Sequence, residues 1–402
     1  MQKKSVMAVA LPMLLLICLT GFPQVSETIY TPALPDLGRG LLATANEMQF
    51  TLSIYFIGFA VGVYFWGRLS DGIGRRPSML LGLVLYIVGS VGCLFSPTVG
   101  YLLVARFVQA FGASVGSVVT QAMLRESIPD EQKGVVFAKI SAALAFTPAV
   151  GPLLGGWIDY FYGYTSIFLF LVLMGLVLLY FAFTKLPETR NQETVVRISA
   201  VSVAKQMVGD LRVWSFAGLI GVTNGIIFSF YGEAPFLFGE YFGFKPNFYG
   251  FIGIVLSSAF IVGAFLSKRL LRQKVAALLI IIYGTLIAMI GALLYTLLAS
   301  AAQGPTKLLC LLLLGAIFTL FLGIGMIVPN ALSLALLGYK QVLGTAGALL
   351  GLAYYFLVGF ITSGMSYLHN GLLLTMPVYF LVLTVVMLGM AFLAKATFRS
   401  KI

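Results

Sequence analysis

The chain has 402 residues, of which 60% are hydrophobic and 9% are charged, and its formal net charge is +12. Because soluble domains carry roughly a quarter charged residues, this composition excludes a soluble protein and predicts an all-α protein that crosses a membrane. The positive charge by itself fits nucleic-acid binding, but the basic residues lie between apolar runs, where they set topology. We therefore expect contact with a lipid bilayer and with no nucleic acid.

Apolar runs of about 20 residues, each able to cross a ~30 Å hydrocarbon core, occur at twelve places. The predicted spans are 7–29, 47–67, 78–96, 99–123, 135–158, 164–184, 211–232, 247–267, 275–299, 307–330, 341–366 and 371–394. The first run follows two lysines like a signal peptide, but it is too long for one, so we expect it to be retained.

The distribution of basic residues predicts the orientation, since cytoplasmic loops are enriched in Lys and Arg. The residues assigned to the cytoplasmic side are Lys3, Lys4, Arg68, Arg75, Arg76, Arg125, Lys133, Lys139, Lys185, Arg190, Arg197, Lys205, Arg212, Lys268, Arg269, Arg272, Lys274, Lys340, Lys395, Arg399 and Lys401. The opposite side keeps Arg39, Lys245 and Lys307. Both termini are therefore predicted to be cytoplasmic, which requires an even number of spans.

The longest polar connection, residues 185–210, divides the chain into residues 1–184 and 211–402. Its mixed charge and few aromatics are typical of a cytoplasmic linker. Weak internal similarity indicates a duplication, because the ends of spans 1 and 7 both carry Tyr, Glu and Pro. Residues 263–269 also repeat part of residues 67–77 without the Asp. Such repeats predict two pseudo-symmetric six-helix bundles with a site at their interface.

Residues 67–77, between spans 2 and 3, read Gly-Arg-Leu-Ser-Asp-Gly-Ile-Gly-Arg-Arg-Pro. The glycines permit a very tight turn, and Pro77 suits the first turn of the next helix. Any short basic loop would be enough to set the orientation in the membrane. The fixed spacing, however, resembles the loop between helices 2 and 3 of the major facilitator superfamily, which implies its twelve-helix fold. Gly72 stands where that family usually has a basic residue, so part of the usual charge network is expected to be missing.

In span 4, residues 106–114 resemble the Arg-x-x-Gln-x-x-Gly segment of the same superfamily. An Arg within a bilayer costs at least ~2.5–3.5 kcal/mol on insertion scales, so Arg106 needs partners or water. Two interpretations stay open. Arg106 is either a structural residue held by carbonyl groups and Gln109, or a cation that tunes the proton affinity of a nearby carboxylate during transport.

In span 5, residues 148–156 read Pro-Ala-Val-Gly-Pro-Leu-Leu-Gly-Gly. Gly151 and Gly155 form a small-xxx-small face that predicts close contact with another helix, and the prolines weaken the backbone hydrogen bonds. Packing alone would explain this pattern. The Gly-Pro-x-x-Gly-Gly order nevertheless resembles the antiporter signature of drug–proton exporters, which implies export.

At the end of span 1, residues 30–35 read Tyr-Thr-Pro-Ala-Leu-Pro. Together with the stretches in spans 2–4, they resemble the Bcr/CflA group of bacterial drug–proton antiporters, most strongly over residues 20–190. That group typically carries an Asp two residues before the Tyr, where this chain has Thr28. Glu27 stands one residue earlier, so the acid is retained but displaced.

The candidate proton-coupling residues are Glu27, Glu233 and Arg106. Each acid lies in the first helix of its half, where apolar burial penalises the charged form and a nearby Arg favours it. An alternative for Glu233 is a residue at the water interface. The resemblance further implies that conformational gating uses Gly67, Asp71, Gly74, Arg75, Arg76, Gly151, Pro152, Gly155 and Gly156. The candidate substrate-cavity residues, chosen as aromatics and amides within the spans, are Gln24, Tyr30, Tyr55, Phe59, Phe146, Asn224, Phe228, Tyr231, Asn330, Tyr354 and Tyr355.

The sequence thus predicts a proton-coupled secondary active exporter of amphipathic small molecules, such as drugs or lipophilic metabolites, that works by alternating access. We expect a monomer in the bacterial inner membrane, with protons as coupling ion and without cofactor or metal. The alternatives are a dedicated exporter of a natural product such as a siderophore, an uptake symporter on the same fold, and a non-transporting receptor. The receptor is disfavoured because the chain has no sizeable soluble domain.

The sequence contains no nucleotide-binding loop, metal-ligand cluster or nucleophile–His constellation, so no enzyme is predicted. The three cysteines, Cys18, Cys93 and Cys310, lie in apolar runs and predict no disulfide framework. His369 is the only histidine. It is predicted to be solvated in a short outer loop.

Overall fold

The computed structural model of the chain describes residues 13–128, 147–190 and 200–399. The α-helices are α1 (Met13–Thr28), α2 (Leu34–Leu41), α3 (Ala45–Ile73), α4 (Arg75–Leu94), α5 (Val99–Ser127), α6 (Thr147–Tyr162), α7 (Thr165–Lys185), α8 (Ala200–Val208), α9 (Leu211–Phe236), α10 (Pro246–Arg272), α11 (Ala277–Ser300), α12 (Lys307–Ala335), α13 (Leu343–Leu368) and α14 (Thr375–Arg399). Shorter helical turns cover Thr31–Ala33, Leu237–Tyr241 and Leu337–Val342.

Within these ranges, eleven helical stretches are long and apolar enough to cross a membrane. They match every predicted span except 135–158, whose described part is the sixteen-residue helix α6. Several helices extend beyond the predicted limits because hydropathy marks only the apolar part of a span. For example, α3 begins at Ala45, where the side chains of Thr44 and Glu47 form a capping box.

Some sequence predictions fall outside the described residues. The side chains concerned are those of Lys3, Lys4, Lys133, Lys139, Arg197, Lys340, Arg399, Lys401 and Phe146. The part of the predicted fifth span that precedes α6 also lies outside the described residues. The total of twelve spans therefore stays a prediction.

The first membrane-crossing stretch is interrupted near its end. α1 contains Pro23 and ends at Thr28, and the 3₁₀ turn Thr31–Ala33 leads into α2. Pro32 lies within that turn, and its missing N–H prevents regular α-helical hydrogen bonding. The break lies directly after Glu27, a residue of the candidate site.

The turn between α3 and α4 is tight, as predicted, but it is shorter than residues 67–77. Gly74 alone separates the two helices. Its φ of +109° is a conformation that residues with a Cβ rarely adopt. The Glu188 carboxylate accepts hydrogen bonds from the backbone nitrogens of Arg75 and Arg76. These bonds satisfy backbone N–H groups at the start of α4 that have no partner within the helix. Arg75 and Arg76 are therefore the first residues of α4 and not part of a loop.

Buried apolar side chains form two clusters. The first cluster takes in residues from Leu15 to Leu186 and also Phe236, and the second takes in residues from Val203 to Ala394. In the first, α3, α4, α5 and α7 form a packed group, and α1 lies against α5 and α6. In the second, α9 packs against α12, α13 and α14. Between the clusters, α3 packs along α13 and α6 along α10, which brings the ends of α1 and α9 together.

The described part of the predicted linker contains a short helix. Val203 and Met207 of α8 are buried against the second cluster. The indole nitrogen of Trp214 donates a hydrogen bond to the Val208 carbonyl oxygen at 3.0 Å. This bond attaches the end of α8 to the start of α9, so α8 is part of the second cluster's surface.

Candidate functional site

A buried arginine between two tyrosines forms the centre of the site. Arg106 of α5 is fully buried, and its guanidinium carbon lies 4.0 Å from the ring centre of Tyr30 and 4.3 Å from that of Tyr55. Cation–π contacts of this kind stabilise a desolvated cation by about 2 kcal/mol. Arg106 Nη1 also donates a hydrogen bond to Gln109 Oε1 at 2.5 Å. Gln109 is the side-chain partner that the sequence predicts.

A second layer of hydrogen bonds holds these groups in place. Gln109 Nε2 donates to Ser90 Oγ at 2.8 Å, and the hydroxyl groups of Tyr30 and Thr51 lie 2.8 Å apart. Within the described ranges, Nε and Nη2 of Arg106 have no hydrogen-bond partner. A desolvated cation with free N–H groups attracts water or an anionic group, so this position favours an acid nearby.

Glu27 of α1, one of the predicted coupling residues, is a buried acid close enough to feel the charge of Arg106. Its burial penalises the charged carboxylate, and the positive charge of Arg106 opposes that penalty. The Glu27 carboxylate and the Arg106 guanidinium form no ion pair within 4.0 Å. The Glu27 charge also acts on Tyr55 of α3, Tyr231 of α9 and Tyr355 of α13. Glu27 therefore lies at the interface of the clusters without a fixed charged partner.

Aromatic side chains continue from this centre across the interface. Phe59 stacks on Tyr55 with ring centres 6.3 Å apart, and it lies 4.7 Å from the ring of Tyr355. Tyr354 and Tyr355 of α13 have ring centres 4.4 Å apart. On α9, the ring of Phe228 lies 6.2 Å from that of Tyr231, and 4.3 Å from that of Phe56 on α3. The structure thus brings most of the predicted cavity aromatics together.

The predicted amides lie apart from this aromatic group or are engaged elsewhere. Asn224 Nδ2 donates to the carbonyl oxygen of Ile220 in its own helix. Asn330 Nδ2 donates to Ser267 Oγ at 2.7 Å, which joins α12 to α10. Gln24 Oε1 is buried and has no hydrogen-bond partner within the described ranges.

The glycines of α6 lie where a helix approaches closely, as their spacing predicts. A Cβ on Gly151 would meet the Thr28 hydroxyl group, and a Cβ on Gly155 would meet the Ile29 carbonyl oxygen. Gly156 faces the Pro246 carbonyl oxygen at the start of α10 in the second cluster. Pro152 lies between them within α6. α6 therefore packs directly on the end of α1 that carries Glu27.

The charged residues near Gly74 form a network within the first cluster. Arg75 pairs with Asp71 and with Glu126, each at 2.6 Å. Asp71 is exposed and pairs with Arg75 alone among the described residues, while the start of α4 is capped by Glu188. The resemblance implies that Asp71 would serve that helix end. Burial acts to raise the pKa of Glu188, but hydrogen bonds from backbone N–H groups outweigh it and hold that pKa below its ordinary value.

Residues after α7 extend this network. Arg190 Nη1 donates to the Gly72 carbonyl oxygen at 2.5 Å, and Thr189 Oγ1 donates to Glu126 at 2.9 Å. Arg76 Nη2 donates to the Phe183 carbonyl oxygen. Gly67 faces the second cluster, because a Cβ there would lie 3.9 Å from that of Ala348.

Glu233 of α9 lies at the opposite end of the molecule from Gly74, and it is buried. Gln49 Nε2 of α3 donates to its carboxylate at 2.6 Å, and His369 Nδ1 lies 2.8 Å from the same oxygen. The prediction that His369 is solvated is therefore wrong, since the side chain is only 10% exposed. Asn46 Nδ2 donates to the carbonyl oxygens of Ser366 and His369 at 2.7 and 3.1 Å.

Sequence reasoning missed Gln49, His369 and Glu188. Gln49 and Glu233 are 184 positions apart, and no local pattern connects them. One feature of the sequence could have pointed to His369: it is the only histidine in a chain with few titratable groups. Glu188 lies shortly after the predicted span 164–184, where a carboxylate can reach a nearby helix start.

Comparisons with known proteins show the family of the chain. The sequence profile described as Major Facilitator Superfamily matches residues 16–363. The chain is 36% identical to an uncharacterized transporter of Rickettsia bellii (strain RML369-C) over 93% of its own length and 94% of the relative's. It is 26% identical to the bicyclomycin resistance protein homolog of Haemophilus influenzae (strain ATCC 51907 / DSM 11121 / KW20 / Rd), over 83% of each chain.

Among solved structures, the chain is similar to the xylose transporter XylE from E. coli in a partially occluded inward open conformation. The TM-score is 0.72, the identity is 14%, and the match covers 96% of this chain and 97% of the other. At that identity the likeness concerns the fold. Together with the helices that can cross a membrane, these findings identify the chain as a multi-pass membrane transporter that belongs to the Major Facilitator Superfamily.

Proposed function

We propose that the protein is a proton-coupled secondary active exporter of amphipathic small molecules and that it works by alternating access. The similarity to a bicyclomycin resistance protein homolog supports export of drug-like compounds. The Gly-Pro-x-x-Gly-Gly order in α6, which packs on the end of α1, supports exchange against protons. The protein acts as a monomer in the bacterial inner membrane.

In this proposal the two clusters are two six-helix bundles, residues 1–184 and 211–402, joined by the linker 185–210. The fifth of twelve helices takes in residues 135–158. The Gly74 end faces the cytoplasm and the His369 end faces outward, as the basic residues predict. The seams between α3 and α13 and between α6 and α10 are the surfaces along which the bundles rock.

A single observation supports coupling most directly. Glu27 is buried beside Arg106 at the interface of the clusters, and the two side chains form no ion pair. A carboxyl group in that position binds a proton when water is excluded and releases it when water or a closer cation stabilises the charge. Because rocking of the bundles changes both conditions, protonation of Glu27 favours one orientation over the other.

The proton gradient supplies enough free energy for substantial accumulation outside the cell. One charge that moves down 100 mV releases about 2.3 kcal/mol. Since about 1.4 kcal/mol corresponds to a tenfold ratio, one proton sustains roughly a 50-fold gradient of a neutral substrate. Export of a cation against one proton is electrically neutral and depends on the pH difference alone.

The chemistry of the interface indicates the substrate class. Aromatic rings from α3, α9 and α13 offer flat apolar surfaces, and Glu27 offers a negative charge among them. This combination suits amphipathic molecules with an aromatic part and a positive charge.

The decisive experiment is a dye-accumulation assay in bacterial cells that lack their own drug pumps. Expression of the protein should lower the steady-state level of a lipophilic cationic dye such as ethidium, and a protonophore should restore that level. Equal dye levels with and without the protein, over a panel of cationic and neutral dyes, would contradict the proposal. Dye uptake driven by protons would instead support the symporter.

A further inference from the structure

A second group of polar side chains joins the two clusters far from Glu27. Gln49 and Asn46 come from α3 in the first cluster, and Glu233 and His369 come from the second. The Glu233 side chain is 8% exposed and that of His369 is 10% exposed. Every hydrogen bond that Gln49 and Asn46 make here crosses between the clusters. Rocking of the bundles that opens this end must break all of them.

We propose that His369 holds Glu233 against Gln49 and so acts as the positioning residue of an outer gate, which closes when its imidazole is protonated. The outer gate consists of Gln49, Glu233 and His369. This inference rests on the proposed alternating access and adds a role to a residue that the coupling mechanism does not use.

The geometry explains why a histidine is needed in the outer gate. The Glu233 carboxylate accepts from Gln49 Nε2 at 2.6 Å, while His369 Nδ1 lies 2.9 and 2.8 Å from its two oxygens. A protonated imidazole donates to both oxygens and fixes the carboxylate with a charge-assisted bond. A neutral imidazole forms a weaker bond, so Glu233 is then free to turn away from Gln49.

The surrounding groups leave Glu233 and His369 as the principal charges. Glu240, in the turn after α9, is exposed and faces His369, and the neighbouring Tyr241 lies beside it. Tyr295 of α11 is the ionisable group behind Glu233. From α3, the uncharged Asn46 donates hydrogen bonds to the Ser366 and His369 carbonyl oxygens beside the gate. From α14, the uncharged Met376 lines the cavity beside the gate. No Lys or Arg of the described residues therefore competes for the Glu233 carboxylate.

Water and protons have a route to the imidazole. A cavity of about 210 Å³ lies beside the gate and is lined by Glu233, Glu240, Tyr241, His369 and Met376, among others. Because Glu240 is exposed, this cavity reaches the surface at the His369 end. The imidazole can therefore exchange its proton with the outer medium while the gate is closed.

The charge of Glu233, the partner of His369, determines how pH changes the stability of the closed gate. Burial acts to lower the pKa of His369, but the hydrogen bond and the charge of Glu233 outweigh it and raise that pKa above its ordinary value of 6.5. In an open gate the imidazole is solvated and has its ordinary pKa. The closed gate is therefore fully stabilised below about pH 6.5 and loses that stabilisation as the pH rises through the raised pKa. External acid thus favours the closed outer gate.

The test measures the width of the outer end directly. Spin labels are placed at Leu42→Cys and Tyr367→Cys, which are 96% and 79% exposed, in a background whose three native cysteines are replaced. Distances between the labels are recorded in purified protein in nanodiscs between about pH 5.5 and 8.5. We expect the open fraction to rise with pH in the labelled protein. In His369→Gln the open fraction should be independent of pH, with an open-to-closed ratio at pH 5.5 at least tenfold higher.

Two further variants distinguish the effect of the gate's hydrogen bonds from the effect of a nearby charge. Gln49→Ala removes the bond to the opposite cluster and should raise the open fraction at every pH. Glu240→Gln removes a neighbouring charge without touching the gate's bonds, so its open fraction should still rise with pH. An unchanged pH response in His369→Gln, or the absence of any pH response in the labelled protein, overturns the outer gate. Dye export by the same labelled protein decides the proposed function independently of that result.

Discussion

At the scale of single residues, the surroundings of Glu27 determine its chemistry. Among the described residues, Nε and Nη2 of Arg106 have no hydrogen-bond partner, and no ion pair joins the guanidinium to the Glu27 carboxylate. A carboxylate in a tight ion pair would keep its charge throughout a cycle. Glu27 instead experiences the opposing influences of burial and a nearby cation, and small movements of α1 against α5 shift the balance between them.

We expect Glu27→Gln to abolish proton-driven export while binding of a neutral substrate persists. The amide imitates the protonated carboxyl group and cannot release a proton. Glu27→Asp shortens the side chain by one methylene and should retain partial activity. The measurement is substrate-induced proton release from purified protein in detergent, combined with the dye assay.

Glu47→Gln serves as the matched control for this experiment. Glu47 is bonded to Thr44 at the start of α3 and lies away from the aromatic interface, so proton release should be unchanged. Undiminished release in Glu27→Gln would exclude Glu27 as the proton carrier and would point to Glu233.

At the scale of helices, the contact between α6 and α1 fixes the geometry of the site. Gly151 and Gly155 bring the α6 backbone against Thr28 and Ile29, directly after Glu27. A side chain at either position would push α1 away from α6. The displacement would carry Glu27 with it, so the small residues of α6 also position the acid.

Gly155→Leu should block export and destabilise the protein, because overpacking of a close helix contact typically costs about 1–3 kcal/mol. Gly315→Leu is the control, since a Cβ at Gly315 of α12 meets no atom within 4 Å. The melting temperature and dye export of the two purified variants are compared. Equal tolerance of Leu at both positions would contradict the close-contact argument.

The start of α4 gives a pH-dependent prediction. The pKa of Glu188 is lowered in the folded protein, so its capping bonds contribute stability above the ordinary pKa of about 4.5 and lose it as the pH falls. Glu188→Gln should therefore lower the melting temperature at neutral pH and reduce its decline under acid conditions. Because Glu188 is largely exposed to solvent, we expect at most about 1 kcal/mol. Asp71→Asn, which removes an exposed pair, should leave both quantities unchanged.

At the scale of the whole molecule, two hydrophobic clusters meet along two helix seams and in two polar groups. One polar group surrounds Glu27 and Arg106, and the other is the outer gate. Because these groups lie at different depths, a rocking motion can break one while it leaves the other intact. The orientation of the molecule then decides which group meets the outer medium.

The predicted orientation can be tested by thiol labelling in whole cells. Leu42→Cys, at the His369 end, should react with a membrane-impermeant maleimide added outside. Gly72→Cys, exposed at the Gly74 end, should react only after the cells are permeabilised. The opposite pattern would reverse the orientation and place the outer gate in the cytoplasm.

Much of this arrangement can be predicted without coordinates. Eleven of the predicted spans coincide with long apolar helices, because a bilayer imposes length and hydropathy on every crossing segment. The tight turn at Gly74, the Arg106–Gln109 hydrogen bond and the close approach at Gly151 and Gly155 follow from local spacing. Helix limits were less accurate, since polar residues at helix ends do not raise the hydropathy.

The amino-acid sequence by itself determined the class of the protein, its helices, its family and the identity of its buried acids. These properties depend on composition and on residues within a few helical turns of one another. Only the tertiary structure decided which side chains those acids meet. It placed Glu27 among tyrosines of α3, α9 and α13, assigned the cap of α4 to Glu188 rather than Asp71, and buried His369 against Glu233. Each of these contacts joins segments far apart in the chain, and their meeting depends on how whole helices pack.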